Sequence, residues 1–345
     1  MPFSLNIKKY WQPKVYLPRH NYIMQLLADR HDKNLIADKL TQIKEKILAT
    51  LAYFDMFSYP LTSGEIFSFM GKRYEQNEFD FALDRLVGER SVYRLSQFYS
   101  LKNDYYLVTR RVAGNKKAAE LIRIAARIST MLIKFPYVRG IAISGSLSKN
   151  FADENSDIDL FIITAKNRLW IARTLMHAFK KLTFLANKQD YFCMNYYIDE
   201  DQLEIVEKNI YTAIEVVTLA PLQGDKVFEQ FYAENTWTAH YLPNKIMRIS
   251  SARPTSVFFI KRSFEYAFNN RMGNFIDTLL MKITASRWTK KTKQNKVNSK
   301  GIIMGMDTGK HYSKPDPKNY QGRLLQQYQN NIDRILRQPQ DSLAQ

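Results

Sequence analysis

The residues of this chain most suited to chemistry are Asp157 and Asp159, which alternate with Ile158 and Leu160. Successive side chains of a β-strand point to opposite faces, so the alternation predicts both carboxylates on one face and both aliphatic side chains in a core. Two adjacent carboxylates repel each other unless a cation lies between them. Carboxylate oxygens favour hard cations, and the pair therefore predicts a Mg²⁺ site.

A glycine-containing turn precedes this pair, where Gly145 and Ser146 follow the apolar residues 141–143. The turn presents backbone N–H groups at the expected start of a short helix, an arrangement that binds phosphate. A phosphate cradle facing two metal-binding carboxylates is typical of a phosphoryl-transfer site, which works by positioning and charge neutralisation. Either fragment alone is commonly a solvated strand edge or an ordinary turn. Their combination between two apolar strands is the specific signal.

Residues 145–160 read GSLSKNFADENSDIDL, and this stretch resembles the nucleotidyltransferase superfamily that includes DNA polymerase beta. Small bacterial members of that superfamily commonly read GSxARGxxxxxSDIDL, a pattern that aligns here without insertion or deletion. Lys149 stands where Arg is common. Asn150 stands where Gly is common, which predicts a left-handed backbone at this residue. The matching positions are Gly145, Ser146, Ser156, Asp157, Ile158, Asp159 and Leu160.

The resemblance implies an α+β fold in which a nucleotidyltransferase-type mixed sheet is flanked by helices. It also implies metal-dependent transfer of a nucleoside monophosphate from an NTP to an acceptor, with release of pyrophosphate. In that interpretation Asp157 and Asp159 are the catalytic residues and hold Mg²⁺ or Mn²⁺. The nucleotide-binding positions are Gly145, Ser146, Lys149 and Ser156. The acceptor stays open between a small molecule, a protein and RNA.

A strand is expected at residues 191–198, where the family usually places a third carboxylate, and this sequence has Asn195 there. Asn can ligate a cation through oxygen but adds no negative charge, so Asn195 is a further and weaker candidate metal ligand. The flanking carboxylates are alternatives: Asp190, Asp199, Glu200 and Asp201. Two hypotheses follow. The chain is an active nucleotidyltransferase, or a catalytically weakened regulatory protein that senses nucleotide or binds nucleic acid on a transferase fold.

The sequence predicts four regions: an N-terminal extension, a winged-helix-like module, the nucleotidyltransferase domain and a basic, mostly helical C-terminal region, at residues 1–36, 37–105, 110–220 and 221–345. In the second region, Thr62 and Glu65 form a capping-box pattern at a helix start, and residues 92–101 alternate as a hairpin. The third helix of this module carries four acidic residues against two arginines. Packing or protein contact is therefore favoured over DNA binding.

Further helices are expected at residues 112–134, 166–186, 209–220 and 255–285. Arg168 and Arg173 are either phosphate ligands or, in the favoured interpretation, surface charges. Tyr211 and Glu215 are the polar residues of their helix that we expect to contribute to the site. Residues 286–300 hold six basic residues and no acidic one, which predicts a loop or frayed helix that either grips nucleic acid or is a solvated linker.

The chain has 345 residues and a formal net charge of +18. Residues 241–345 contain 19 Lys and Arg against 6 Asp and Glu. Such a basic region favours an anionic partner, nucleic acid among them. Cys193 is the single cysteine, which excludes an internal disulfide and is expected of a cytoplasmic protein. No apolar run approaches the roughly 18 residues of a transmembrane helix, so no membrane span is expected.

Overall fold

A computed structural model of the chain describes residues 19–183, 193–245, 252–254, 258–297, 305–315 and 320–337. Its N-terminal part consists of three helices followed by a two-stranded hairpin. The helices are α1 (Arg19–Asp55), α2 (Ser63–Phe69) and α3 (Gln76–Gly88), and the hairpin strands are β1 (Tyr93–Leu95) and β2 (Phe98–Ser100). This element order agrees with a winged-helix-like module, an assignment that stays a prediction.

The start of α2 confirms the predicted capping box. The Thr62 hydroxyl accepts a hydrogen bond from the Glu65 amide, and the Glu65 carboxylate accepts one from the Thr62 amide. These bonds satisfy amides at the helix start that have no intrahelical acceptor. α1 begins directly after Pro18, so the predicted boundary between residues 36 and 37 falls inside one continuous helix.

The middle of the chain supplies the centre of a mixed sheet. Its elements are α4 (Tyr106–Leu132), β3 (Val138–Ile143), α5 (Gly145–Ser148), β4 (Asp159–Thr164), α6 (Leu169–Thr183), β5 (Cys193–Asp199), α7 (Ile210–Thr218) and β6 (Ala220–Gln223). β4 and β5 are parallel and are connected through α6, as a parallel pair requires. β3 pairs antiparallel with both β4 and β6.

The described residues of the C-terminal region form five helices and two more strands: α8 (Asp225–Glu234), α9 (Thr238–Tyr241), α10 (Phe259–Phe268), α11 (Arg271–Lys293), β7 (Met306–Thr308), β8 (Tyr312–Pro315) and α12 (Tyr320–Arg337). β8 pairs with β5, and β7 pairs with β8, both antiparallel. The sheet order is therefore β6–β3–β4–β5–β8–β7. This mixed sheet flanked by helices agrees with the expected fold class.

The two faces of the sheet bury different cores. Leu160 and Ile162 point toward a core that includes residues of α4 and α6. Phe161 and Ile163 point to the other face, where α8 covers them. Because Asp159 lies two residues before Phe161, its side chain belongs to this second face, at the end where the cover stops.

One prediction for the C-terminal region was wrong. The single helix expected at residues 255–285 breaks before Asn270, whose side chain accepts from the Gly273 amide and caps α11. Of the loop or frayed helix expected at residues 286–300, the structure has the helix, which ends at Lys293 within the segment; Lys and Arg favour helix, and no Gly or Pro interrupts the segment. Residues 298–300 lie outside the described part.

α12 returns the C-terminal region to α1, where the Tyr328 and Tyr53 rings meet edge to face at 5.4 Å. Residues after 221 thus extend the sheet on one side and pack on the N-terminal module on the other. Over the residues that the structure describes, no helix is both long enough and apolar enough to cross a membrane.

Candidate active site

The end of β3 brings Gly145 against Asp159 at the start of β4. The Ser144 amide donates to the Asp159 carbonyl oxygen at 2.9 Å, which fixes the two strand ends together. Gly145 has φ of +66°, and a Cβ at this position would lie 2.7 Å from Asp159 Oδ2. Both the left-handed backbone and the close carboxylate require glycine. The Gly-Ser turn and the second aspartate of the motif are therefore in direct contact.

The polypeptide leaves this contact through the single turn of α5. The Ser146 carbonyl accepts from the amides of Lys149 and Phe151 and closes the turn. Asn150 has φ of +59°, so the left-handed backbone predicted for this residue is confirmed. The Gly145 and Ser146 amides begin the helix, and amides at such positions have no intrahelical acceptor.

Asp157 differs from the prediction in its secondary structure. β4 begins at Asp159, so Asp157 lies in the connection before the strand. Asp157 and Asp159 are both partly exposed, whereas Ile158 between them is fully buried. The predicted alternation of accessible aspartates and a buried isoleucine is thus present, although residue 157 is not paired within the strand.

Lys149 makes two contacts within the site. Its ammonium lies 2.8 Å from Glu215 Oε1 and 3.0 Å from the Gly145 carbonyl oxygen. Glu215 comes from α7, as does Tyr211, whose pKa is raised by burial and by the charge of Glu215. Lys149 thus fixes the turn to α7, and its predicted role at a phosphate is untested by these contacts.

Ser156 organises the loop before Asp157. Its hydroxyl donates to the Asp153 carboxylate at 2.8 Å and accepts from the Asp153 amide at the same distance. Ser156 also lines the same cavity as Gly145, Ser146 and Lys149. The four predicted nucleotide-binding residues therefore share one cavity.

β5 lies beside β4, as the resemblance implies, and contains a β-bulge. Cys193 is opposite Asp159, Met194 is opposite Leu160, and Tyr196 is opposite Phe161, so Asn195 is the extra residue of the bulge. The Asn195 side chain lies outside the described part of the structure. Burial and the neighbouring Asp159 charge raise the pKa of the Cys193 thiol to about 12, which keeps the thiol neutral and poorly nucleophilic.

The carboxylates after β5 are too far along the strand to join this group. Asp199 is opposite Thr164, five residues beyond Asp159, which at about 3.3 Å per residue is roughly 16 Å away. The Asp199 carboxylate is fully buried and accepts from the Asn167 and Asp201 amides, with His311 Nδ1 at 3.0 Å. Asp201 pairs with Lys166, and Glu200 lies near Arg139. The remaining alternative, Asp190, is outside the described residues.

Arg168 and Arg173 were predicted as surface charges or phosphate ligands, and the structure places both in the interior. The Arg168 guanidinium donates to Asn274 Oδ1 and to backbone carbonyls at residues 167, 268 and 270. Arg173 is only 6% exposed, and burial lowers its pKa. Arg168 therefore joins α6 to the start of α11.

Two cavities of about 520 Å³ each meet at the Gly145–Asp159 contact. The first cavity holds the four predicted nucleotide-binding residues, and the second cavity holds Asp159, Phe161 and Tyr196. Both are lined by Gly145 and by three further residues, Tyr211, Glu215 and Tyr320. A volume of this size suits a ligand of nucleotide or drug size.

The N-terminal module forms one wall of the first cavity. This wall includes Tyr53 and Phe57, near the end of α1, and Tyr59, and it is adjoined by Arg110 of α4. The Arg110 guanidinium donates to the carbonyls of Phe57 and Ser58 and lies 4.4 Å from the Phe151 ring centroid. Sequence reasoning missed these residues, because their spacing is that of an ordinary amphipathic helix and adjoining turn.

Residues 126–229 match the family model of the nucleotidyltransferase domain. The matched range contains β3, α5, β4, β5 and α7, and thus every motif residue that surrounds the two cavities. No curated protein and no solved structure shows significant similarity to the chain. The family match supports a nucleotidyltransferase domain, with general nucleotidyl-transfer activity, in this part of the chain.

Proposed function

We propose that this protein is a metal-dependent nucleotidyltransferase of the polymerase-beta-like type. It transfers a nucleoside monophosphate from an NTP to an acceptor and releases pyrophosphate. The observation that carries the proposal is the contact between Gly145 and Asp159 at the junction of two ligand-sized cavities. A phosphoryl-transfer site needs a donor and an acceptor on opposite sides of one charge-stabilised phosphorus atom.

The two aspartates of the motif have the chemistry for a hard divalent cation, although only Asp159 lines one of the two cavities. Asp157 and Asp159 offer carboxylate oxygens, and the turn at Gly145 leaves no Cβ between the backbone and Asp159 Oδ2. In the proposal these two aspartates hold Mg²⁺ or Mn²⁺. When bound, the ion neutralises the phosphate oxygens on which negative charge accumulates.

Residues that line the first cavity are proposed to bind the NTP. The Gly145 and Ser146 amides receive the NTP phosphates, and Ser156 orders the loop that carries Asp157. Tyr53, Phe57 and Tyr59 offer aromatic surface in the same cavity, where a base can stack. Lys149 stays with Glu215 until a more negative phosphate competes for its ammonium.

The N-terminal module has a defined place in this proposal. We assign it a winged-helix-like arrangement that packs on the transferase domain and completes the nucleotide cavity. The Tyr59 hydroxyl hydrogen-bonds to the Lys149 carbonyl, and Arg111 pairs with Glu65 at 2.7 Å. These contacts join the module to the motif turn and to α4. They favour packing over DNA reading, in agreement with the acidic third helix.

The experiment is incubation of the protein with each α-labelled NTP, Mg²⁺ and cell extract, followed by detection of labelled product and pyrophosphate. Asp157→Asn and Asp159→Asn are each expected to abolish Mg²⁺-dependent turnover while leaving the melting temperature close to wild type. Asp84→Asn, which removes an exposed carboxylate of α3, is the matched control and is expected to retain activity.

The outcomes separate the two original hypotheses. Full activity of both Asp157→Asn and Asp159→Asn would contradict the site assignment. Mg²⁺-dependent NTP binding without any labelled product or pyrophosphate would instead favour a nucleotide-sensing protein on a transferase fold.

A further inference from the structure

The second cavity has a floor made by one row of residues across four neighbouring strands. Phe161 of β4 is opposite Tyr196 of β5, and Lys314 of β8 is opposite Asp307 of β7. Tyr197 is opposite Ser313 in the antiparallel β5–β8 pair, so the register continues from Tyr196 to Lys314. All four row residues line the cavity, as does Asp159, two residues before Phe161 on the same face.

The row is aromatic at one end and charged at the other. Near Asp159 it is aromatic: the Phe161 and Tyr196 rings stack with centroids 5.1 Å apart and an interplanar angle of 26°. At the far end it is charged. Lys314 contacts both Glu207 and Asp307, the latter at 3.5 Å, so two carboxylates share one ammonium group.

This far end retains an excess of negative charge that a ligand can reach. The side chains of Glu207 and Asp307 are 36% and 38% exposed, whereas Lys314 between them is 14% exposed. Glu215, on the wall of the same cavity, is already paired with Lys149. The basic character of the chain as a whole therefore does not extend to this cavity, which attracts cations and repels phosphates.

The strand order sets the length of a ligand that uses both ends. β4 and β7 are three strand spacings apart, which at about 4.8 Å each places Asp307 roughly 14 Å from Phe161 and, with the two-residue offset along β4, about 16 Å from Asp159. Asn209, Thr212 and Gln321 also line this cavity. The Thr212 hydroxyl donates to Asn209 Oδ1 and accepts from Gln321 Nε2, and the remaining amide groups of Asn209 and Gln321 can bind hydroxyl groups.

From these features we propose that the second cavity accepts a small hydroxylated molecule with a positively charged amine on the order of 10 Å from the reacting hydroxyl. This inference rests on the proposed function and specifies its acceptor. The reacting hydroxyl gives its proton to solvent water, and its oxygen forms a bond to the α-phosphorus of the NTP. The bond from that phosphorus to the bridging oxygen breaks, and pyrophosphate leaves. An RNA end is disfavoured, because its phosphates would meet Glu207 and Asp307.

The test fractionates a cell extract by size and then by cation exchange, and supplies each fraction with the protein, α-labelled NTPs and Mg²⁺. Acceptor activity is expected in the small-molecule fraction that the resin retains, and acetylation of amines in that fraction is expected to remove it. Labelling confined to the resin flow-through or to macromolecules, or absence of product from every fraction, would overturn the inference. The unfractionated extract is assayed in parallel with the fractions. Absence of labelled product and pyrophosphate from that extract would refute the proposed function itself, whereas product there without product in the retained small-molecule fraction would refute only the acceptor assignment.

Substitutions at the acidic end are expected to change the KM for the acceptor in opposite directions. Asp307→Asn and Glu207→Gln are each expected to raise the KM for the retained acceptor about fivefold, as for loss of one partly exposed charge pair. Lys314→Met is expected to lower this KM, because it removes the competing ammonium, a direction that general damage to the cavity would not produce. Glu229→Gln, which removes an exposed carboxylate of α8, is the matched control. Equal KM values for all four variants and the wild type would overturn the assignment of this end.

Discussion

The contact between Gly145 and Asp159 can be tested by adding one methyl group. Gly145→Ala places a Cβ 2.7 Å from Asp159 Oδ2, well inside ordinary van der Waals contact, at a residue with φ of +66°. The carboxylate must therefore move, or the turn must open. Either response disturbs the pair of groups on which the proposed site depends, whereas the rest of the sheet is untouched.

The expected loss of stability has two parts. A left-handed backbone at a non-glycine residue costs roughly 1–2 kcal/mol. Replacing glycine lowers the entropy of the unfolded chain, which returns about 0.4–1 kcal/mol. The net destabilisation is about 1 kcal/mol before any cost of moving Asp159. Because Asp159 is proposed to hold the cation, its displacement is expected to weaken Mg²⁺-dependent NTP binding by at least about tenfold, or roughly 1.4 kcal/mol.

Gly64→Ala is the matched control. Gly64 lies inside α2, and a Cβ there would meet nothing within 4 Å. This substitution is expected to stabilise the protein by about 0.5–1 kcal/mol, because alanine favours helix over glycine. Urea denaturation gives the free energies of unfolding, and calorimetric titration of a non-hydrolysable NTP with Mg²⁺ gives the affinities. If Gly145→Ala keeps wild-type stability and affinity, the close approach to Asp159 is wrong. If only the affinity is unchanged, the nucleotide binds elsewhere.

Three further substitutions or conditions test other parts of the structure. Asn195→Asp adds a negative charge at the β5 bulge beside β4 and is expected to tighten Mg²⁺ binding. Thermal melts with and without Mg²⁺ test this, and a large destabilisation that Mg²⁺ does not rescue would contradict it. Burial raises the pKa of Asp277 to about 6, so the folded state binds a proton that the unfolded state has lost between about pH 4 and 6, and stability falls as pH rises through that window. Asp277→Asn keeps the acceptor for the Ile171 amide, and in urea denaturation it is expected to be more stable than wild type by about 2–3 kcal/mol near pH 8 but not near pH 4. Equal differences in stability at both pH values would refute the raised pKa of Asp277. If the basic residues of 286–300 bind nucleic acid, the affinity measured by fluorescence anisotropy should fall steeply with salt, and absence of binding at low salt would leave the segment without that role.

The sequence by itself determined the features that depend on a few neighbouring residues. The capping box at Thr62 and Glu65, the hairpin at residues 92–101 and the left-handed backbone of Asn150 are all present. Each is decided by backbone sterics and hydrogen bonds within three or four positions, so local spacing was sufficient. The same reasoning placed Gly145 in a turn next to an acidic pair, and the family match covers that stretch.

Helix ends were less well determined where local preferences compete. The break before Asn270 was missed, and the choice between loop and helix for residues 286–293 was left open. Asn is able to cap a helix or to lie within a loop, and a run of lysines is compatible with either helix or coil in isolation. The burial of Arg168 and Arg173 could likewise not be predicted from the sequence, because it depends on which groups from distant parts of the chain surround each guanidinium.

Only the tertiary structure decided what surrounds the motif. The aromatic wall near Tyr53, the pairing of Lys149 with Glu215 and the row from Phe161 to Asp307 join residues distant in sequence. The position of β8 beside β5 depends on which free strand edge buries most apolar surface and pairs its backbone groups. The pairing of β8 with β5 therefore depends on contacts throughout the fold. The motif therefore identified the candidate site, whereas long-range packing determined the two cavities that meet there.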